Sequence, residues 1–500
     1  MKFRIRYLRI ATIVVCVTIA GLLAENSLAT LQPMQAFTGA ANENFGYSVS
    51  GAGDVNNDGY ADFIVGGNSA DYSATAIGRA YVYSGQTGGL LYTFTAEEPG
   101  DYFGRAVSGA GDVNNDGFAD VLVGARWNSS GGFQAGKVYI YSGQSGALLY
   151  SLAGAPGERL GRIVSGGGDV NNDGFDDFAV GAPNGSGVGM VYVYSGRTGG
   201  QLFSFSGEPV GDWFGTSVAL AGDVNNDGFV DLIIGAAQSG GAGRAYLHSG
   251  QNGALLYSFD GEAQGDFFGF AVSGAGDVDN DGYADVIIGA KWNDAGGLDA
   301  GRAYCYSGQT GSLIHTFAGE SFDFRLGQSV AGAGDVNADG FDDVLVGAIG
   351  SNINGSFSGQ ATLFSGIDGT QLRTFHGEAA GDNFGFSVSS LGDFDNDGFT
   401  DVIIGAINNE TGGIHAGRAY TLSLGRLCCA TAGDSNHDDS FNIADVTFGI
   451  ARIFSGGSTP ACQDEADANG DNSFNIADVT YGIARIFSGG PAPICGTSGS

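Results

Sequence analysis

Residues 54–62 read Asp54-Val55-Asn56-Asn57-Asp58-Gly59-Tyr60-Ala61-Asp62. Side-chain oxygens stand at positions 1, 3, 5 and 9, and a glycine stands at position 6. Such oxygens converge on one hard cation when a glycine permits the sharp turn between them. The pattern recurs seven times, starting at Asp54, Asp112, Asp169, Asp223, Asp277, Asp335 and Asp393. The intervals are 58, 57, 54, 54, 58 and 58 residues, so the loop also counts structural units.

The predicted metal ligands are the side chains at these positions. They are Asp54, Asn56, Asp58 and Asp62, then Asp112, Asn114, Asp116 and Asp120. Asp169, Asn171, Asp173 and Asp177 follow, and then Asp223, Asn225, Asp227 and Asp231. The last three loops supply Asp277, Asp279, Asp281 and Asp285; Asp335, Asn337, Asp339 and Asp343; and Asp393, Asp395, Asp397 and Asp401. Tyr60 can add its backbone carbonyl. An all-oxygen set without His or Cys favours Ca2+ over zinc or copper. Magnesium prefers fewer protein ligands and more water. An Asx-rich turn explains one such loop, but not seven that keep every ligand position. Asp279 and Asp395 replace Asn at position 3, and the extra charge predicts tighter calcium binding there.

The composition agrees. A net charge of -34 argues against nucleic acid as a partner. A hydrophobic content of 43% supports a packed core rather than a disordered acidic chain. Gly, at 91 of 500 residues, recurs at fixed repeat positions and reads as turn chemistry.

The N-terminus reads as a targeting segment. Lys2, Arg4, Arg6 and Arg9 precede an apolar run over 10–24, and Ser27-Leu28-Ala29 fits a cleavage site. Residues 1–29 are therefore a predicted signal peptide, with an uncleaved membrane anchor as the alternative. No later stretch is long and apolar enough to span a membrane. The expected location is secreted or at the cell surface, which suits calcium loops. Cys305 stands where other repeats carry strand residues and is predicted to be core. Cys428, Cys429, Cys462 and Cys495 allow two disulfides in three pairings.

Each period begins with Phe-Gly or Leu-Gly, as at Phe103-Gly104 and Leu160-Gly161. A short strand then leads into the Asp loop. A second strand such as Asp231-Leu232-Ile233-Ile234 ends in Gly-Ala or Gly-Gly. A third reads Lys137-Val138-Tyr139-Ile140-Tyr141, and a Ser-Gly-x-x-Gly turn leads to a fourth, Leu255–Phe259. β-branched and aromatic runs bounded by glycine turns are strand signals. Four strands repeated seven times predict an all-β fold, a seven-bladed β-propeller of four-stranded blades. The seventh repeat stops after its third strand, and the segment 34–38 is predicted to complete that blade.

These motifs resemble the FG-GAP repeats of the integrin alpha-chain propeller over about residues 30–425. The resemblance implies structural calcium sites on the face opposite the usual ligand face.

A different repeat occupies 426–500. Asp434, Asn436, Asp438, Asn442 and Asp445 recur thirty-three residues later as Asp467, Asn469, Asp471, Asn475 and Asp478. The spacing fits an EF-hand-type calcium loop, with Asp instead of Glu at position 12. Val446, Ile450, Ile453 and Phe454 fall at helical spacing, predicting a short helix after the loop. Two loop–helix units resemble a type I dockerin, a small α-helical paired EF-hand-like module. That resemblance implies attachment to a cohesin-like or cell-envelope partner. Arg452 and Arg485 match its basic recognition position. Ile443-Ala444 and Ile476-Ala477 replace the hydroxyl pairs of well-known cohesin binders. In all, about seven propeller sites and two tail sites for Ca2+ are expected.

The five His residues sit in no nucleophile or zinc motif, so no catalytic residue is assigned. Three readings stay open. One is an exported calcium-binding recognition or adhesion protein whose propeller face takes a protein or glycan ligand. The second is a polysaccharide-degrading enzyme or a component of an enzyme complex. The third is a passive structural envelope protein. Trp127 and Trp292 hold equivalent positions and read either as sugar-stacking platforms or as packing between blades.

Overall fold

The computed structural model describes residues 35–69, 77–208, 211–337 and 339–424, together with Val446, Val479, Thr480 and Ile483. Seven four-stranded antiparallel sheets are present among them. In blade 1, Phe45–Gly53, Asp62–Gly67, Arg79–Tyr83 and Leu90–Thr95 pair in that order. Blades 2 to 6 repeat the meander. Blade 7 takes its fourth strand, Gln35–Thr38, from the other end of the ring. Phe37 faces Ala419 and Thr38 faces Arg418 in that pairing. The Phe37 ring also meets Phe63 and Tyr83 of blade 1, at 5.0 and 4.8 Å. One short strand thus closes blade 7 and locks it to blade 1, leaving no open edge between first and last blades.

Burial peaks at the second strand of each blade. The second strand is buried at all six positions in every blade. That explains its unbroken apolar runs, since a strand covered on both faces needs no polar alternation. The third strand alternates in blades 1 and 3 and is buried at its three central positions in the others, and the fourth begins on an exposed Leu in blades 1, 2, 4 and 5.

The hydrophobic core lies between blades. One cluster joins Ile64, Val82 and Phe94 of blade 1 to Phe103, Val123 and Tyr139 of blade 2, and comparable clusters join the other neighbours. Burying each such large side chain contributes about 1.5–3 kcal/mol. Glycine makes the approach between blades close enough. A Cβ on Gly104 would lie 2.0 Å from the Arg79 carbonyl oxygen of blade 1, and one on Gly66 would lie 2.0 Å from the Gly104 carbonyl oxygen. The Phe-Gly and Gly-Ala glycines therefore face each other across a joint that admits no side chain.

Antiparallel topology puts the first and third turns of each blade at one end of the propeller. The second turns and the links between blades lie at the other. Cys305 is buried in the third strand of blade 5, as expected. The predicted signal peptide lies outside the described residues. So do the second-repeat ligands Asp434 to Asp478 and the four clustered cysteines. The four described tail residues are helical. No helix among the described residues is long and apolar enough to cross a membrane.

Candidate metal centres and the opposite face

Each Asp loop leaves its first strand through a β-bulge, as between Gly51 and Gly53. Position 2 then plants an apolar anchor: Val55 and Val113 are fully buried. The position-1 carboxylate folds the turn. Asp112 Oδ1 accepts the Asp116 N–H at 2.9 Å and Oδ2 accepts the Gly117 N–H at 2.7 Å. Asp116 Oδ1 accepts the Phe118 N–H at 3.1 Å. Gly117 sits at φ 87, which only glycine adopts without strain.

The position-9 aspartates are fully buried. Asp120 Oδ2 accepts the Val113 N–H at 3.1 Å, and Oδ1 accepts the Gly143 N–H at 2.9 Å. Gly143 belongs to the turn after the third strand, so this carboxylate ties the two turns of one blade end together. Every blade has the same bond, from Gly85 in blade 1 to Leu424 in blade 7. In Asp231, Asp343 and Asp401 each carboxylate oxygen accepts a single N–H and keeps a second lone pair for a cation.

Position 3 supplies the strongest test of fit. The Oδ1 atoms of Asn56, Asn114, Asn225 and Asp279 are buried and accept no hydrogen bond. Buried acceptors without partners are costly and rare in folded proteins. A hard cation held by positions 1, 3, 5 and 9 would satisfy them. In blades 5 and 7 the carboxylates converge further. Asp277, Asp279 and Asp285 place oxygens within 4.8 Å of one another, as do Asp393, Asp395 and Asp401.

Charge crowding tells the same story. Burial pushes the position-9 carboxyl up to about 6 in Asp62 and Asp177. It reaches about 7 in Asp120, Asp231, Asp285 and Asp343, and about 8 in Asp401. Neighbouring loop carboxylates push the same way, and the backbone N–H bonds oppose them. A divalent cation offsets both the burial and the crowding.

Sequence reasoning missed two parts of these loops. Position 4 is Asn in six loops, and Asn57, Asn115, Asn172, Asn226, Asn280 and Asn396 all adopt positive φ. Asn tolerates that region better than other side chains. The second part links blades: Asp176 and Asp342, at position 8, accept the Asp112 and Asp277 N–H groups of the preceding loop, each at 2.8 Å. The repeated Asn was a readable signal. The cross-blade contacts had none, because they depend on ring closure.

The other end is different. Trp127 packs on Tyr102 at 4.4 Å and Trp292 on Phe267 at 4.4 Å, each within its own blade. Of the two readings left open for these tryptophans, these ring contacts decide neither. Trp213, two-fifths exposed, meets Phe267 edge-on at 5.8 Å. His248 is structural: its Nδ1 lies 3.2 Å from the Gly253 carbonyl oxygen and its ring packs on Phe205.

Comparison with known proteins agrees with this layout. The FG-GAP repeat matches residues 45–83, 103–141, 160–194, 214–248, 268–306, 326–364 and 384–416. The chain is 36% identical to integrin alpha-4 of Xenopus laevis over 213 residues, which is 39% of this chain and 20% of that protein. It is 34% identical to integrin alpha-V of Gallus gallus over 204 residues, 37% of this chain and 19% of that one. The matched segments thus span about a fifth of these relatives. A chain in the crystal structure of a mitotic checkpoint complex superposes with a TM-score of 0.50 at 11% identity. It covers 85% of this chain and 98% of its own length, a likeness of fold alone. With seven matched repeats covering more than half of its residues, the chain belongs to the FG-GAP repeat family.

Proposed function

We propose that this protein is an exported calcium-binding recognition or adhesion module. Its Asp loops hold Ca2+ and stiffen one end of the propeller, and the opposite end carries the ligand face. The observation that carries this reading is the buried, unpartnered position-3 oxygen, repeated in four loops, one of which, in blade 5, also gathers three carboxylates around it. Positions 1, 3, 5 and 9 of each loop would hold the ion. Bound calcium supplies positive charge and rigidity there, and the protein's own carboxylates orient the turn.

Kinship with integrin alpha chains supports a role in recognition, with a protein or glycan as ligand. In the same proposal, residues 426–500 form a dockerin-like attachment module, and residues 1–29 direct export. The test is capture of the mature protein by a panel of glycans and envelope proteins, with calcium and with chelator. Calcium-dependent capture through residues 30–425 is expected. Capture that survives chelation, or that needs only residues 426–500, would overturn the assignment of the ligand face.

A further inference from the structure

The chain is strongly acidic, yet the mouth of the propeller opposite the Asp loops is lined by cations. Most other basic side chains of the propeller are paired: Lys137 with Glu97, Arg244 with Asp260, Arg302 with Glu262 and Arg418 with Glu378. Arg105, Arg126, Arg162 and Lys291 are not. Among the described residues none of these four has a carboxylate within ion-pair distance. The acids nearby are already engaged. Asp101 accepts the Phe103 N–H, Asp266 accepts the Asn293 amide, and Asp323 pairs with Arg325.

Aromatic rings stand against three of these cations instead, and Lys291 Nζ also donates to the Gln328 side-chain oxygen at 3.4 Å. The Arg126 guanidinium lies 5.1 Å from both the Tyr102 and Trp127 rings. The Lys291 ammonium lies 3.5 Å from Phe270 and 5.0 Å from Trp292. Arg105 covers Tyr47 at 4.6 Å. Arg126 Nε and Trp127 Nε1 are buried and donate to nothing among the described residues. Burial, and then mutual repulsion, pushes Arg126 and Arg162 down to about 10 and Lys291 to about 7. An incoming negative charge relieves both effects.

We propose that this mouth is an anion-reading site for the carboxylate-bearing rings of a uronic-acid polysaccharide. The inference rests on the recognition reading above and names its ligand class. Two features favour a glycan over an acidic peptide. Blades 2 and 5 each set a cation at the same position between a Trp and a second ring, Tyr102 in one and Phe270 in the other, and a repeated cation fits a polymer with a repeated acidic unit. Trp213, Phe267 and Trp292 also form a continuous run of rings, each nearly perpendicular to the next, whose individual faces sugar rings can pack against. The carboxylate on each ring then meets guanidinium or ammonium in a partly dry setting, where charge-assisted bonds are strongest.

The test is calorimetric titration of the calcium-loaded full chain with a short oligogalacturonate, a neutral cello-oligosaccharide and poly-glutamate. Only the oligogalacturonate should bind, and its affinity should fall as salt rises. Arg126→Gln and Lys291→Gln should each weaken it by about tenfold or more, as loss of one partly desolvated ion pair implies. Arg197→Gln, in a turn at the Asp-loop end, should leave it unchanged. Melting curves matching the parent would show that the variants fold. Equal affinity in all variants, equal binding of the neutral oligosaccharide, or binding of poly-glutamate alone would each overturn the proposal. Calcium-dependent capture of another ligand, insensitive to Arg126→Gln, would overturn it while leaving the recognition reading intact.

Discussion

The two ends of this propeller are built from the same seven repeats, yet they differ in almost every physical respect. One end repeats itself closely: an apolar anchor, a left-handed Asn, a turn glycine and a buried aspartate recur in blade after blade. The other end is irregular, with Trp127, Trp292, Arg105, Arg162 and Lys291 each placed in only one or two blades. Repetition marks a task that every blade must perform alone, here bracing two turns and, in the proposed reading, holding a cation. Irregularity marks a surface assembled jointly, on which each blade contributes something different.

If the repeating end depends on metal, chelation should have the largest effect. Each independent site adds about 2.7 kcal/mol at a hundredfold excess of calcium over Kd. A melting temperature more than about 10 °C lower in chelator is expected by differential scanning calorimetry. An unmoved transition would break the comparison.

The same loops should set the sign of the pH dependence. Without metal, the folded position-9 carboxyls titrate at about 6 to 8, above their unfolded value. The folded state then binds more protons than the unfolded state. The stabilising contribution is fully present below the unfolded pKa and is lost as pH rises toward about 8. With calcium bound the carboxylates stay ionised, so stability should instead fall on acidification. Melting curves from pH 4 to 8 should slope in opposite directions with chelator and with calcium. Parallel slopes would contradict the ligand assignment.

Single substitutions sharpen the contrast. Asp120→Ala strands the Val113 and Gly143 N–H groups and should cost about 3 kcal/mol in denaturant unfolding. Gly104→Ala drives a methyl into the Arg79 carbonyl and forces alanine to φ 78, so about 2 kcal/mol or more should be lost even with calcium present. The smallest effect is expected from Asp279→Asn. It should weaken calcium binding at the blade 5 loop several-fold with little change in unfolding, as read by calcium titration.

Much of the repeating end was legible in the sequence because its causes are local. The spacing of Asp54, Asn56, Asp58 and Asp62 around Gly59 predicts a loop, and its period predicts the number of blades. Even ring closure was readable, since the seventh repeat lacks a fourth strand and residues 34–38 look like one. The glycine pairs were visible as Phe-Gly and Gly-Ala but not their reason, which is that Gly104 and Gly66 meet across a joint. The irregular end could not be read. Arg162 and Lys291 lie 129 positions apart, and only closure of the ring places blades 3 and 5 around the same mouth. Periodicity gives no signal for residues that occur once.

The central claim is that the Asp loops are cation sites, and counting bound calcium tests it most directly. The full mature chain would be dialysed to equilibrium against micromolar calcium, and calcium per chain measured by elemental analysis. The account predicts about seven ions from the propeller and two from the tail, with the count falling by one in a variant lacking the ligands of a single loop. Two ions or fewer would show that the seven repeated loops are turns that hold no metal.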